Sequence, residues 1–163
     1  MNKEKIIDQL IELLKIARDI EINRQKTSQN EANMHIGAME SRYDTFKEEA
    51  QYLAGAQEIR SYNLNQNIVD LQKLRELVRQ NLIPSNRICL GSIVLLENES
   101  GEKKLFFIAC AAGGQLIETS EGSCQIITPV SPMGRAIVGK KKGDEIQLLI
   151  NGKLITFEVI AIE

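Results

Sequence analysis

The residues that could do chemistry are few. One short run, Tyr43-Asp44-Thr45-Phe46-Lys47-Glu48-Glu49, gathers three carboxylates beside two aromatic rings. Carboxylates are hard oxygen ligands of the kind that hold Mg²⁺. The same run has plainer readings. Asp44 suits a solvated turn ahead of a helix N-terminus. Thr45-x-x-Glu48 has the form of a capping box, in which hydroxyl and carboxylate satisfy free amides at a helix start. Glu49 fits a solvated helix face. Histidine occurs once, at His35, and no two of Cys89, Cys110 and Cys124 have a Cys-x-x-Cys spacing. A structural zinc site and a disulfide framework are both disfavoured. The thiols are expected to be reduced and partly buried.

Charge narrows the classes further. Lys plus Arg is 20 and Asp plus Glu is 22 in 163 residues, so the net charge is −2. A strongly basic surface, the usual electrostatic route to non-specific DNA binding, is excluded. Aromatic residues make up 4% and Trp is absent, too little for a base-stacking platform. The opening MNKEKIIDQL lacks the apolar core of a signal peptide. No apolar run reaches membrane-spanning length, so no membrane is expected and the cytoplasm is the expected compartment.

The elements that must position the acidic run change near Pro84. Residues 1–82 contain no proline, and only Gly37 and Gly55 as glycines. Ile6, Leu10, Leu13, Ala17 and Ile20 follow alternating steps of four and three, the seam of a coiled coil. Leu64, Ile68, Leu71, Leu74 and Val78 make a second seam. Two helices with one seam each pair most simply as an antiparallel hairpin. Symmetry puts the turn near Ser41, and the capping box starts the second helix at about Phe46. The seam thins into polar residues from Asn23 to Asn33, which predicts weaker pairing toward the tip.

Beyond Pro84 the pattern is that of strands and turns. Strands are expected at Ile93–Leu96, Lys104–Ile108, Gln125–Thr128, Glu145–Ile150 and Leu154–Ile162. The last two flank Asn151-Gly152, a strong hairpin signal. A short helix is expected after Pro132.

The run Ile127-Thr-Pro-Val-Ser-Pro-Met-Gly-Arg-Ala-Ile-Val-Gly-Lys-Lys-Lys-Gly-Asp144 resembles the C-terminal half of the Gre transcript-cleavage factors. These form the GreA/GreB family of bacterial regulators that bind RNA polymerase. The strand Gly91-Ser-Ile-Val-Leu-Leu and the ending Phe157-Glu-Val-Ile-Ala-Ile-Glu163 are similar to the family's as well. Lys47-Glu-Glu-Ala-Gln-Tyr-Leu-Ala54 is similar to a motif in the second arm of its coiled coil. One departure is Gly134, where the family commonly has Ala.

The resemblance implies an α+β fold: an N-terminal antiparallel two-helix coiled coil and a C-terminal FKBP-like antiparallel sheet with a short helix. The division is 1–82 hairpin, 83–90 linker and 91–163 domain, with no isomerase activity implied by the fold. It also implies a protein that is not itself an enzyme. The coiled coil would enter the secondary channel of RNA polymerase. Asp44 and Glu48 at its tip would help hold the second catalytic Mg²⁺ and a water, so that the polymerase cuts its own backtracked RNA. That Mg²⁺ would be shared with the polymerase active site, and no cofactor would be stably bound by the free chain. Tyr43 and Phe46 would press on the channel or the nascent RNA 3′ end. The loop Ser131, Pro132, Met133, Gly134 and Arg135 would dock on the channel rim. A weak DNA contact by the globular domain stays open, and the intramolecular hairpin favours a monomer.

The acidic pair departs from the family's Asp-x-x-Glu. Asp44-Thr-Phe-Lys-Glu48 is one residue longer, and counting forward from Asp44 puts Lys47 in the Glu slot. That cation motivates a second expectation, a channel-occupying regulator that does not stimulate cleavage. A third is an unrelated coiled-coil adaptor or an isomerase. The isomerase is the poorest, because Phe106, Phe107 and Phe157 are the only aromatics of the second half.

Overall fold

The computed structural model describes residues 2–34, 40–150 and 152–163, with side chains described for these except at 28–51, 54 and 150. Two long helices come first, α1 (Lys3–Met34) and α2 (Glu40–Arg79). At 1.5 Å per residue they run to roughly 48 and 60 Å. Six strands and one short helix follow: β1 (Ile93–Asn98), β2 (Lys103–Ile108), β3 (Leu116–Thr119), β4 (Gly122–Ile127), α3 (Pro132–Ile137), β5 (Glu145–Ile150) and β6 (Lys153–Ile162). Among the described residues no helix is long and apolar enough to cross a membrane.

The chain packs as two units. One holds Met1–Ile11 with Asp70–Glu163, and the other is Glu12–Val69. In the second unit, the Arg18 guanidinium on α1 donates to Asn65 Oδ1 on α2 at 3.3 Å. Leu64 is half-buried and Ile68 fully buried there. Toward the tip, polar residues enter the shielded positions: Glu21 and Gln25 beside Ile22 on α1, Gln57 and Ser61 on α2. Gln57 Oε1 is buried with no hydrogen-bond partner among the described residues. An unsatisfied buried carbonyl works against tight pairing, as the thinned seam predicts.

The seam on α1 needs correction. Ile6, Ile7, Leu10 and Ile11 are all buried, while Leu13 and Ile20 are 41% and 46% exposed. Adjacent pairs buried on one helix mean that two sides are covered. The first turns of α1 lie in the same unit as the base of α2 and the sheet. Past Ile11 a narrower stripe, with half-buried Leu14 and Ala17, remains shielded. On α2 the expected seam is found, with Leu71 and Leu74 at most 1% exposed.

The start of α2 also differs from expectation. Helix already runs from Glu40, so Thr45 and Glu48 lie within it and the capping-box start at Phe46 is not used. Residues 40–45 contain neither Gly nor Pro. Once a helix is nucleated, each added residue gains a hydrogen bond for little cost, so a run without a breaker is absorbed.

The sheet order is β3-β4-β2-β1-β6-β5. Every pair is antiparallel except β2 with β4, which is parallel and modifies the expected all-antiparallel sheet. The cause is the short strand β3, absent from the sequence-based expectation. It forms a hairpin with β4 through Thr119↔Gly122, and β4 then returns beside β2 in the same direction. Leu116 is 65% exposed, so β3 carries little of the burial that marks a strand. The β1–β2 turn is held by Asn98, whose Oδ1 accepts from the Ser100 amide at 3.0 Å and the Glu102 amide at 2.8 Å. The β5–β6 hairpin forms as expected, with Gly152 at φ +77.

The core on one face of the sheet contains Val94, Leu96, Phe106, Ile108, Ile127, Ile146, Phe157 and Val159, joined by Ile88 and by Ile137 of α3. Burying a phenylalanine or isoleucine contributes about 1.5–3 kcal/mol. Two buried phenylalanines and a row of β-branched residues therefore suffice to hold the short α3 in place.

Candidate functional site

The acidic run stands on α2. Positions 44 and 48 are four residues apart in continuous helix, one turn and about 6 Å of axial rise. Glu48 is thereby released from the capping role that competed for its side chain. Like charges at this spacing destabilise an isolated helix by about 0.2–0.5 kcal/mol, a cost that a bound cation reverses. Tyr43 and Phe46 stand on the same stretch of helix. The side chains of all four, and of Arg42, Lys47 and Glu49, lie outside the described residues, as does His35. Among the described residues, no three His, Cys, Asp or Glu side chains gather where a metal could be held.

The second candidate, Ser131–Arg135, is built by α3. Ser131 is its N-cap, with extended backbone at φ −68 and ψ 156, and Pro132 follows in the first turn. The Ser131 hydroxyl accepts from the Gly134 amide at 3.0 Å and donates to the Thr128 carbonyl at 2.8 Å. One side chain therefore caps the helix and ties it to the end of β4. Met133 is half-buried against the core, Gly134 is buried, and Pro132 and Arg135 are exposed. The helix presents its first turn and one arginine outward, while Met133 and Ile137 fasten it beneath.

Beside this turn lies an open groove of about 540 Å³. Gly113 and Gly114, the end of β4, Pro132 and Met133, and Leu148 and Leu149 of β5 form its walls. None of its lining residues is aromatic. β4 and β5 are separated by three strands in the sheet order, yet both line this groove. Leu148, Leu149 and Thr128 were missed as site neighbours. Nothing in their local sequence signals it, because the groove joins segments far apart in the chain.

The thiols are not brought together as a site. Cys124 is fully buried on β4, and burial pushes its pKa up to about 11. Cys110 is half-buried, and burial raises its pKa as well. Cys89 Sγ lies 3.5 Å from the Ser92 hydroxyl.

Comparison with known proteins adds to this geometry. Residues 83–163 match the family model described as transcription elongation factor, GreA/GreB, C-term. The chain is 28% identical over 148 residues to transcription elongation factor GreA of Syntrophus aciditrophicus, covering 89% of this chain and 77% of that protein. It is 29% identical over 119 residues to GreA of Brucella canis, covering 71% of each. Among solved structures, one of the transcription factor Gfh1 aligns at 24% identity over 94% of this chain and 92% of that chain, with a TM-score of 0.42. The crystal structure of Gfh1 from Thermus thermophilus aligns at 21% identity over 94% of each, with a TM-score of 0.38.

Proposed function

We propose that the chain is a GreA/GreB-type transcription elongation factor, as the match of residues 83–163 and the similarity to GreA proteins support, and that it binds RNA polymerase, inserts its two-helix arm into the secondary channel and stimulates cleavage of backtracked RNA. The observation that carries this reading is one juxtaposition. A Gre-type C-terminal domain follows a hairpin whose second helix runs unbroken through Asp44 and Glu48. The protein is not itself the nuclease. It lends two carboxylates to a catalyst that already holds one metal.

In this reading Asp44 and Glu48 face the polymerase active site and share its Mg²⁺. Two metals stabilise the attacking and leaving oxygens of phosphodiester cleavage. Two carboxylates alone make a weak site for a cation that prefers six oxygen ligands, so the free chain holds no Mg²⁺ stably. Tyr43 and Phe46 lie against the channel wall or the RNA 3′ end. Ser131–Arg135 docks on the channel rim, with Arg135 offering paired donors to a carboxylate. The protein acts in the cytoplasm, as a monomer.

Lys47 supports a second reading, a factor that occupies the channel without promoting cleavage. An ammonium between the two acidic positions opposes cation binding. The test is RNA cleavage in a backtracked elongation complex, comparing the native protein with Asp44→Asn and Glu48→Gln after binding of all three is verified. Faster cleavage with the native protein alone upholds the first reading. Binding without faster cleavage moves the protein to the second, and absence of binding overturns both.

A further inference from the structure

Three consecutive lysines, Lys140, Lys141 and Lys142, are held in a fixed turn. Gly139 and Gly143 bracket them with φ of +87 and +86, a backbone region that other residues rarely enter. The Lys140 amide donates to Ile137 O at 3.0 Å, the Lys141 amide to Asp144 Oδ2 at 2.8 Å and the Gly143 amide to Val159 O at 2.8 Å. Ile88 is clipped to the same turn. Its amide donates to Lys140 O at 2.8 Å and its carbonyl accepts from Gly139 at 2.7 Å. The adjoining Arg87 is thereby brought beside the lysines from a segment more than fifty residues away.

Arg87, Lys141 and Lys142 are exposed, and Lys140 is half-buried with Nζ donating to the Glu145 carbonyl at 3.5 Å. Two acidic residues, Asp144 and Glu145, belong to the same segment, and Asp144 commits one oxygen to the Lys141 amide. Lys15, Arg18, Arg24, Lys73, Arg75, Lys103 and Lys104 each form an ion pair. Among the described residues, none of Arg87, Lys140, Lys141 and Lys142 does so. Four like charges held at one edge of a chain of net charge −2 repel one another, and binding a polyanion relieves that repulsion.

We propose that this turn grips the sugar–phosphate backbone of a nucleic-acid strand through Arg87, Lys140, Lys141 and Lys142. A lysine ammonium binds phosphate as a point charge. A phosphodiester strand carries a charge at every nucleotide, so several of the four cations engage whatever the register. An acidic protein surface would need its carboxylates placed to match. No aromatic residue lies in 84–92 or 135–145, so the surface has no ring on which to stack a base and does not read sequence. This proposal does not rest on polymerase binding.

The test is fluorescence anisotropy of the full-length free protein with a short labelled single-stranded RNA across a salt series. Four phosphate contacts predict a slope of about −3 for log affinity against log salt on a single strand. Charge reversal in K141E/K142E should weaken binding at low salt by about tenfold or more and flatten the slope by about 1.4. K141R/K142R should bind like the native protein. Both variants change exposed side chains only, and an unchanged melting temperature verifies their folding. The proposal is overturned if the native protein does not bind the RNA at low salt. It is also overturned if K141E/K142E binds with undiminished affinity and slope, or if poly-glutamate binds in preference to RNA.

Discussion

Gly134 lies so close to the Thr128 carbonyl that a methyl carbon placed on it would stand 2.0 Å from that oxygen and 2.8 Å from its carbon. Both obstacles are main-chain atoms, so no side-chain rotation removes them. Ser131 fixes the approach by bonding the Gly134 amide and the Thr128 carbonyl at once. The position commonly filled by Ala in the resembling family is therefore constrained to Gly by the seating of α3 in this chain. Gly134→Ala should destabilise the protein by about 1–3 kcal/mol, the range for overpacking. Urea denaturation measures this, and a loss below 0.5 kcal/mol, within the scatter of ordinary surface substitutions, would refute the tight seating. Ser131→Ala should cost about 1 kcal/mol through the lost cap.

Gly55 is the opposite case. It lies within α2, and a methyl carbon there meets nothing within 4 Å. A helical glycine gives up about 0.5–1 kcal/mol relative to alanine through backbone entropy. Gly55→Ala should stabilise by about that amount. Thermal unfolding and helical circular dichroism report it directly.

At the base of the helices, Arg75 and Asp8 form a two-point contact, Nε to Oδ1 at 2.9 Å and a terminal guanidinium nitrogen to Oδ2 at 3.4 Å. The side chains are 46% and 47% exposed, so solvent screens most of the attraction. A double-mutant cycle with Asp8→Asn and Arg75→Gln should give a coupling of about 0.2–1 kcal/mol, shrinking in high salt. A coupling indistinguishable from zero at low salt would contradict this pairing of α1 with α2.

Cys124 predicts an alkaline limit to stability. Burial raises its folded pKa from 9.0 to about 11. The unfolded chain therefore loses this proton near pH 9, while the folded chain keeps it until about pH 11. The stabilisation is fully present below pH 9 and is lost progressively as pH rises to about 11. Cys110 shifts in the same direction through burial. Denaturant midpoints should fall across that window, and Cys124→Ala should be less stable overall yet show a shallower fall. In the folded protein, Cys124 should also resist thiol reagents that need the exposed thiolate.

Much of this protein is legible in its local sequence, and the reasons are specific. Helical periodicity, with no Pro and only two Gly in residues 1–82, set out two long helices. Asn151-Gly152 marked the last hairpin, and Pro132 marked the start of α3. Each signal acts within a few residues, through φ restriction, capping or the alternation of buried and exposed faces, so chain order alone carries it. The acidic run was legible as residue types, but its capping-box reading failed, because a helix initiated at Glu40 runs through Thr45 and Glu48.

Tertiary structure decided the remainder. It buried Ile7 and Ile11 while leaving Leu13 and Ile20 exposed, because the first turns of α1 are covered on two sides. It made β2 and β4 parallel by interposing the weakly patterned β3. It brought Leu148 and Leu149 to the groove beside Ser131, and clipped Arg87 to the lysine turn through Ile88. It also turned Gly134 from a departure in a motif into a steric requirement. These outcomes depend on contacts between segments far apart in the chain. Their free energy comes from shared burial and close packing, which no short window of sequence contains.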